Sequence, residues 1–383
     1  MTAPTRASFP IAALSGGHLP GLDGLRAIAI GAVFGFHLGL PWMSLGWVGV
    51  QLFFVISGFL ITGILLRSRQ RPYYFRNFYV RRTLRIFPIY YLLVAAYFVT
   101  AGLQGDLAAV KLLPYYLTYT QTYPQLATRY ACAPMLGHTW TLAIEEQFYL
   151  LWPLAMYLLR GRWLFLALGG LMVLAVVTRL GLQGHPNAFL SVGWLPAQID
   201  LLASGAAIAV LAATRPPAWM RRLGYAFAGT GLLFTVAIVA PAGLAVFWSP
   251  ELWVRLPSSP YFPTALAILF AGIVALTATD CPLTRWLANW PMMRIGKISY
   301  GLYLFHPFVF RYVDKLTVPL HPPGLSAGIT RFVVMGILAA KVGATVLGAE
   351  CSWRVFEGPI NSLKDRLTRR PPAASPASGP ASS

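Results

Sequence analysis

Charge is scarce in this chain. Only 11% of its 383 residues are Asp, Glu, Lys or Arg, whereas a soluble domain carries about 25%, so an ordinary water-soluble globule is excluded. Acids are the rarer sign, 11 Asp and Glu against 30 Lys and Arg, for a formal net charge of +19. Three cysteines are too few for a disulfide framework. No cluster of side chains has metal-ligand spacing, so no metal is expected, and no glycine-rich phosphate loop occurs. No internal repeat is evident, which counts against a transporter built from duplicated halves.

Apolar residues fill the space that charge leaves, at 57% of the chain. Windows of about 20 residues with few charges, the length a helix needs to cross the hydrocarbon layer, recur along it. Ten are expected, at 22–40, 46–66, 86–103, 137–159, 163–181, 195–213, 223–245, 262–279, 298–313 and 326–349. The fold class expected is therefore all-α, a polytopic membrane helix bundle with about ten transmembrane helices. The aromatic stretch "LLPYYLTYTQTYP" at 112–124 reads as interfacial or as a partial helix. Residues 1–20 read as a loose cytoplasmic lead-in, 21–358 as the transmembrane domain, and 359–383 as a basic, disordered tail rich in Pro, Ala and Ser. The first apolar run carries Arg26 and leads directly into a second long helix, unlike a cleaved signal peptide.

The excess of basic residues suggests nucleic acid until their positions are read. With a cytoplasmic N-terminus and alternating sides, 21 of the 30 Lys and Arg fall in cytoplasmic segments. That is the positive-inside bias, so the charge reports orientation and no nucleic-acid partner is expected. On this topology Cys132 lies outside and Cys281 and Cys351 inside, so no bridge involving Cys132 is expected.

The densest basic segment, "RSRQRPYYFRNFYVRRTLRIFP", holds seven arginines and no carboxylate. It reads either as an orientation signal touching anionic lipid or as a phosphate grip. Guanidinium forks suit phosphate oxygens and the interleaved aromatics suit a base or ring. Arg82 and Arg85 share one face if the segment is helical, with Arg81 adjacent.

"LRAIAIGAVFGFH" sets Arg26 and His37 eleven positions apart in an apolar run. Eleven residues at about 100° each put both on one helix face, about 16 Å apart along the axis. Ionisable groups in a membrane usually face the bundle interior. Arg26 can alternatively snorkel to the interface, and His37 can be a hydrogen-bonded packing residue. "GHTWTLAIEEQFYLLWP" carries the adjacent carboxylates Glu145 and Glu146, of which at most one faces a given cavity squarely. Glu145 and His37 both fall in the outer half of the membrane, where a carboxylate beside an imidazole would set up a general base. Packing is the bland alternative for the glutamates. His138 stands at the mouth of that helix. His306, followed by Pro307, lies near Ser299, Tyr300 and Tyr303 and reads as a kinked turn or a further candidate. Asp200 is a membrane carboxylate whose partner is not legible. Ser57 and Gly58 read as a close-packing pair or as room for an acyl chain.

"LDGLRAIAI", "GWVGVQLFFVISGFLIT", "FYVRRTLRIFPIYYL", "HTWTLAIEEQFYLLWPL" and "ISYGLYLFHP" follow one another over residues 22–310. The set resembles bacterial membrane acyltransferase family 3, the O-antigen and exopolysaccharide acetylase group. The resemblance implies a multi-pass protein of the bacterial cytoplasmic membrane, and the positive-inside bias over ten crossings puts both termini in the cytoplasm. It implies transfer of an acyl group, usually acetyl, from an acyl-CoA donor to a hydroxyl of a cell-envelope glycan or a small acceptor such as a macrolide sugar, with no tightly bound cofactor. It places catalytic roles on Arg26, His37 and Glu145, and donor binding on Arg82 and Arg85, with Arg81, Ser57 and Gly58 beside them. Glu146, His138, His306 and Tyr300 are secondary candidates. Gln51 departs from the family pattern, where an acidic residue is common. No hydrolase-like domain follows the membrane part, so the stand-alone branch is expected. A proton-coupled transporter using Arg26, His37 and Glu145, or an envelope scaffold, are the other function classes.

Overall fold

The computed structural model describes residues 17–127, 132–187, 189–247, 256, 259–317 and 327–368. Among them every regular element is a helix. Ten are long: α1 Pro20–His37, α2 Val48–Ser68, α3 Tyr74–Leu103, α4 Trp140–Leu158, α5 Arg162–Gly181, α6 Leu195–Ala212, α7 Pro217–Val239, α8 Phe262–Thr277, α9 Trp290–Thr317 and α10 Ala327–Ser352. Six of them, α2, α3, α5, α6, α7 and α10, are long and apolar enough to cross a membrane. The chain is thus a multi-pass membrane protein. Of the other four, α8 is apolar but has only 16 residues, and α1, α4 and α9 carry ionisable residues discussed below. Ten crossings were expected from sequence; length and composition support six.

Element ends differ from expectation where polar residues extend a helix. α3 begins at Tyr74 rather than near 86, so Arg76, Arg81, Arg82 and Arg85 stand on its first turns, while Arg67 lies in the last turn of α2 and Arg69 and Arg71 in the turn between. α9 starts eight residues early, at Trp290. His37 is the last residue of α1, because the chain turns at Leu38 and passes through Gly39 at a φ of 67°. The 112–124 stretch forms short helices, including Leu113–Leu117, and Tyr90 and Tyr91 of α3 donate to the carbonyls of Tyr116 and Leu117 at 2.9 and 2.7 Å. Residues 1–16 of the expected lead-in and 369–383 of the expected tail lie outside the described residues; Gly358–Ser362 and Lys364–Leu367 are short helices.

α2 and α6 form the centre, while α5, α7 and α10 lie at the rim with most of their apolar surface outward. Lipid would cover that surface, since apolar rim helices have no water-facing side to satisfy. Glycine sets the central contact: a Cβ on Gly58 would stand 2.0 Å from the Leu202 carbonyl oxygen, and one on Gly205 1.9 Å from that of Val55. α6 also carries Asp200, whose partner is Arg179 of α5, with oxygen–nitrogen distances of 2.7 and 3.2 Å and both side chains fully buried. Thr264 of α8 donates to the same carboxylate at 2.7 Å. The pair ties three helices together away from the cavity described next.

Candidate functional site

A cavity of about 110 Å³ lies between α1, α2, α3, α4 and α9. Its polar wall comprises Arg26, Ser57, Arg82, Arg85, Thr141, Glu145, Tyr149, Ser299, Tyr300 and Tyr303, and its apolar wall includes Val50, Phe53, Ile56 and Leu60. Its lining runs from Arg26 on α1 and Arg82 and Arg85 on α3 to Val50 on α2 and Thr141 on α4.

Helical spacing explains which arginines enter. Arg82 and Arg85 are three residues apart on α3 and line the cavity together. Arg81, one position away, turns about 100° outward. Its guanidinium reaches Thr368 Oγ1 at 3.4 Å and Asp365 at 3.9 Å, beside the short C-terminal helices. Arg81, expected beside Arg82 and Arg85, is not among the cavity's lining residues.

The cavity's charges are unevenly matched. Arg26 is held by Asp23, one turn earlier on α1, at 3.0 Å, and Asp23 also meets His18 at 2.6 Å. Arg82 lies over the Tyr149 ring, 4.1 Å from its centroid. Glu145 sits against the hydroxyls of Ser57 and Tyr149, which hydrogen-bond one another, with Arg82 as its nearest cationic neighbour. Among the described residues no carboxylate lies within ion-pair distance of Arg82 or Arg85, and Arg85 is exposed. Three guanidinium groups against one lining carboxylate leave the cavity wall with an excess of positive charge.

His37 is not among the cavity's lining residues. It stands at the other end of α1, about 16 Å along the axis from Arg26, and is exposed there. Its ring meets that of His306 at a centroid distance of 4.7 Å, and His306 meets His138 at 5.4 Å. Glu145 thus pairs with the cavity hydroxyls, and the expected Glu145–His37 contact is replaced by an imidazole cluster. Tyr303 joins the two regions: its hydroxyl lines the cavity, lies 2.7 Å from Thr141 Oγ1 and donates to the His138 carbonyl at 2.6 Å.

The remaining candidates fall in different places. Tyr300 lines the cavity and donates to the Ile86 carbonyl at 3.0 Å. Ser57 lines it, whereas Gly58 packs against the Leu202 backbone of α6, the close-packing reading of the pair. Glu146 points a buried Oε1 away from any hydrogen-bond partner among the described residues, and so does Gln51. Asp23, Tyr149, Thr141 and Tyr303 were not singled out as site residues from sequence. For Asp23 the signal was present, since it precedes Arg26 by one turn in "LDGLR". Among the described residues no three His, Cys, Asp or Glu side chains are placed to hold a metal.

A family model described as "Acyltransferase domain" matches residues 19–347. The chain belongs to this acyltransferase family. It is 30% identical to the "Putative peptidoglycan O-acetyltransferase YrhL" of Bacillus subtilis, an alignment that covers 90% of this chain and 55% of the relative. It is 27% identical to the peptidoglycan O-acetyltransferase OatA of Listeria monocytogenes, over 90% of this chain and 56% of that one. It is 28% identical to the O-acetyltransferase OatA of Staphylococcus aureus, over 90% and 57%. The chain therefore spans little more than half the length of these relatives. No solved structure matches it.

Proposed function

We propose that this protein is an integral-membrane O-acyltransferase. It takes an acyl group, acetyl by family habit, from an acyl-CoA thioester at the basic end of the bundle and transfers it to a hydroxyl of a cell-envelope glycan at the other end. The observation that carries the reading is one cavity whose wall brings Arg26, Arg82 and Arg85 together. The named activity of the relatives, peptidoglycan O-acetylation, supports a glycan acceptor of that class. The positive-inside bias supports placing the basic end, and both termini, in the cytoplasm of a bacterial cell.

In this reading Arg82 and Arg85 bind the donor's phosphates, which match guanidinium forks in charge and geometry. Tyr149 holds Arg82 by its ring and Glu145 by its hydroxyl, so the phosphate grip is fixed before the donor arrives. Arg26, kept in place by Asp23, faces the thioester arm as it runs along α1. His37 takes the proton of the acceptor hydroxyl as that oxygen attacks the thioester carbonyl.

Release of free thiol from acetyl-CoA by the purified protein, measured with and without soluble peptidoglycan fragments, tests the reading. Glycan-dependent thiol release, with acetyl ester recovered on the glycan, is the expected result. Absence of thioester cleavage with every glycan, by protein that is folded and monodisperse, would contradict it.

A further inference from the structure

Pro307 creates an opportunity that His306 fills. In an unbroken helix the N–H of residue 307 would bond the carbonyl of Tyr303; proline has no N–H to give. His306 Nδ1 lies 2.8 Å from that carbonyl oxygen, with Leu302 O at 3.3 Å. Carbonyls only accept, so Nδ1 carries the proton and Nε2 presents a bare lone pair. His37 is fixed the same way, its Nδ1 donating to Val33 O at 2.9 Å. The tautomers of both rings are thus set by backbone.

His306 is 0% exposed. Its Nε2 has no hydrogen-bond partner among the described residues, and neither has Nε2 of His138. Leaving a buried acceptor unpaired is costly, and packing alone gives no reason to retain it. The unused nitrogen belongs to the ring that stands 4.7 Å from His37, the only exposed member of the cluster. The other titratable groups packed on this pair are His138 and Tyr303; Phe34 and Phe310 complete its wall.

We propose that His306 is the proton partner of His37. Once the acceptor oxygen has given its proton to His37 Nε2 and bonded to the thioester carbon, this Nε2–H turns to the neutral His306 Nε2. It is the one imidazolium N–H not held by the Val33 carbonyl, and His306 accepts it as a hydrogen bond and shares the charge. The acceptor oxygen forms the new C–O bond, the C–S bond breaks with its electron pair on sulfur, and the proton held by the histidine pair returns to that thiolate. His306 touches no substrate and acts as a positioning residue; the place at Nδ1 that a carboxylate takes in many base-activating arrangements is held here by the Val33 carbonyl. The proposal rests on the transferase reading above.

His306→Asn separates this role from packing. Asparagine keeps an N–H for the Tyr303 carbonyl but has no basic nitrogen. The expected result is a folded variant with kcat lowered about 100-fold or more and KM for acetyl-CoA within about twofold of wild type. In His306→Gly, free imidazole should restore part of the lost kcat, and in His37→Ala with His306 intact it should not act through the His306 pocket. A folded His306→Asn with kcat within about threefold of wild type would overturn the proposal. If neither variant folds, nitrogen-15 histidine spectra of the unmodified protein decide. His306 Nε2 must then shift as His37 takes up a proton, and an unmoved His306 would overturn the pairing. A wild type that transfers no acyl group defeats the transferase reading, while the spectra still test the pair.

Discussion

Arg81 and Arg82 differ by one position and by about 100° around α3, which gives them different partners. Arg82 enters the cavity over Tyr149, and Arg81 reaches the C-terminal helices. Arg82→Ala should therefore raise KM for acetyl-CoA about 10- to 100-fold, the size of a lost charged hydrogen bond. Arg81→Ala should leave it within about twofold; steady-state kinetics on the two variants checks both. The Arg82–Arg85 partnership was legible because three-residue spacing fixes a shared face once a helix is assumed. The partner of Glu145 was not, because periodicity gives a direction around one axis and says nothing about the neighbouring helix. Glu145 met Ser57 and Tyr149, and His37 met His306, a residue more than 250 positions away that no local pattern connects to it.

Among elements, the α5–α6–α8 tie depends on a fully buried ion pair. Arg179 also donates to the carbonyls of Pro260, at 2.9 Å, and Ala197, so removal of Asp200 would leave a buried cation short of its counter-charge. Asp200→Ala is expected to cost about 3–5 kcal/mol, read as a lower melting temperature in detergent or as loss of folded yield. Replacing both partners with apolar residues, Arg179→Met with Asp200→Leu, should recover most of it. Apolar runs made the existence of these helices plain from sequence. Their ends were less so, since α3 and α9 continue through arginines and lysines that a hydropathy window treats as boundaries. The glycines of α2 and α6 were readable as a packing device, but which of Ser57 and Gly58 faces the cavity required the neighbour's backbone.

For the whole molecule, the proposed orientation puts the His37 end outside and the basic end in the cytoplasm. Cys132, half-buried in the connection between α3 and α4, should then react with a membrane-impermeant maleimide added to intact cells. Burial pushes its thiol up from the ordinary value, so reaction should be slow and should quicken at alkaline pH. A cysteine at the exposed Ser362, introduced as Ser362→Cys, should react only after the membrane is opened. The opposite pattern would invert the topology.

Donor and acceptor at opposite ends of one bundle is the central claim, and sealed inverted membrane vesicles test it directly. Radiolabelled acetyl-CoA is added outside, facing the basic end, with envelope glycan enclosed in the lumen. The account predicts label in lumenal glycan with the wild type and none above background with Arg82→Ala or His37→Ala. Label confined to glycan on the donor's own side, or label in the lumen that survives both substitutions, would contradict it.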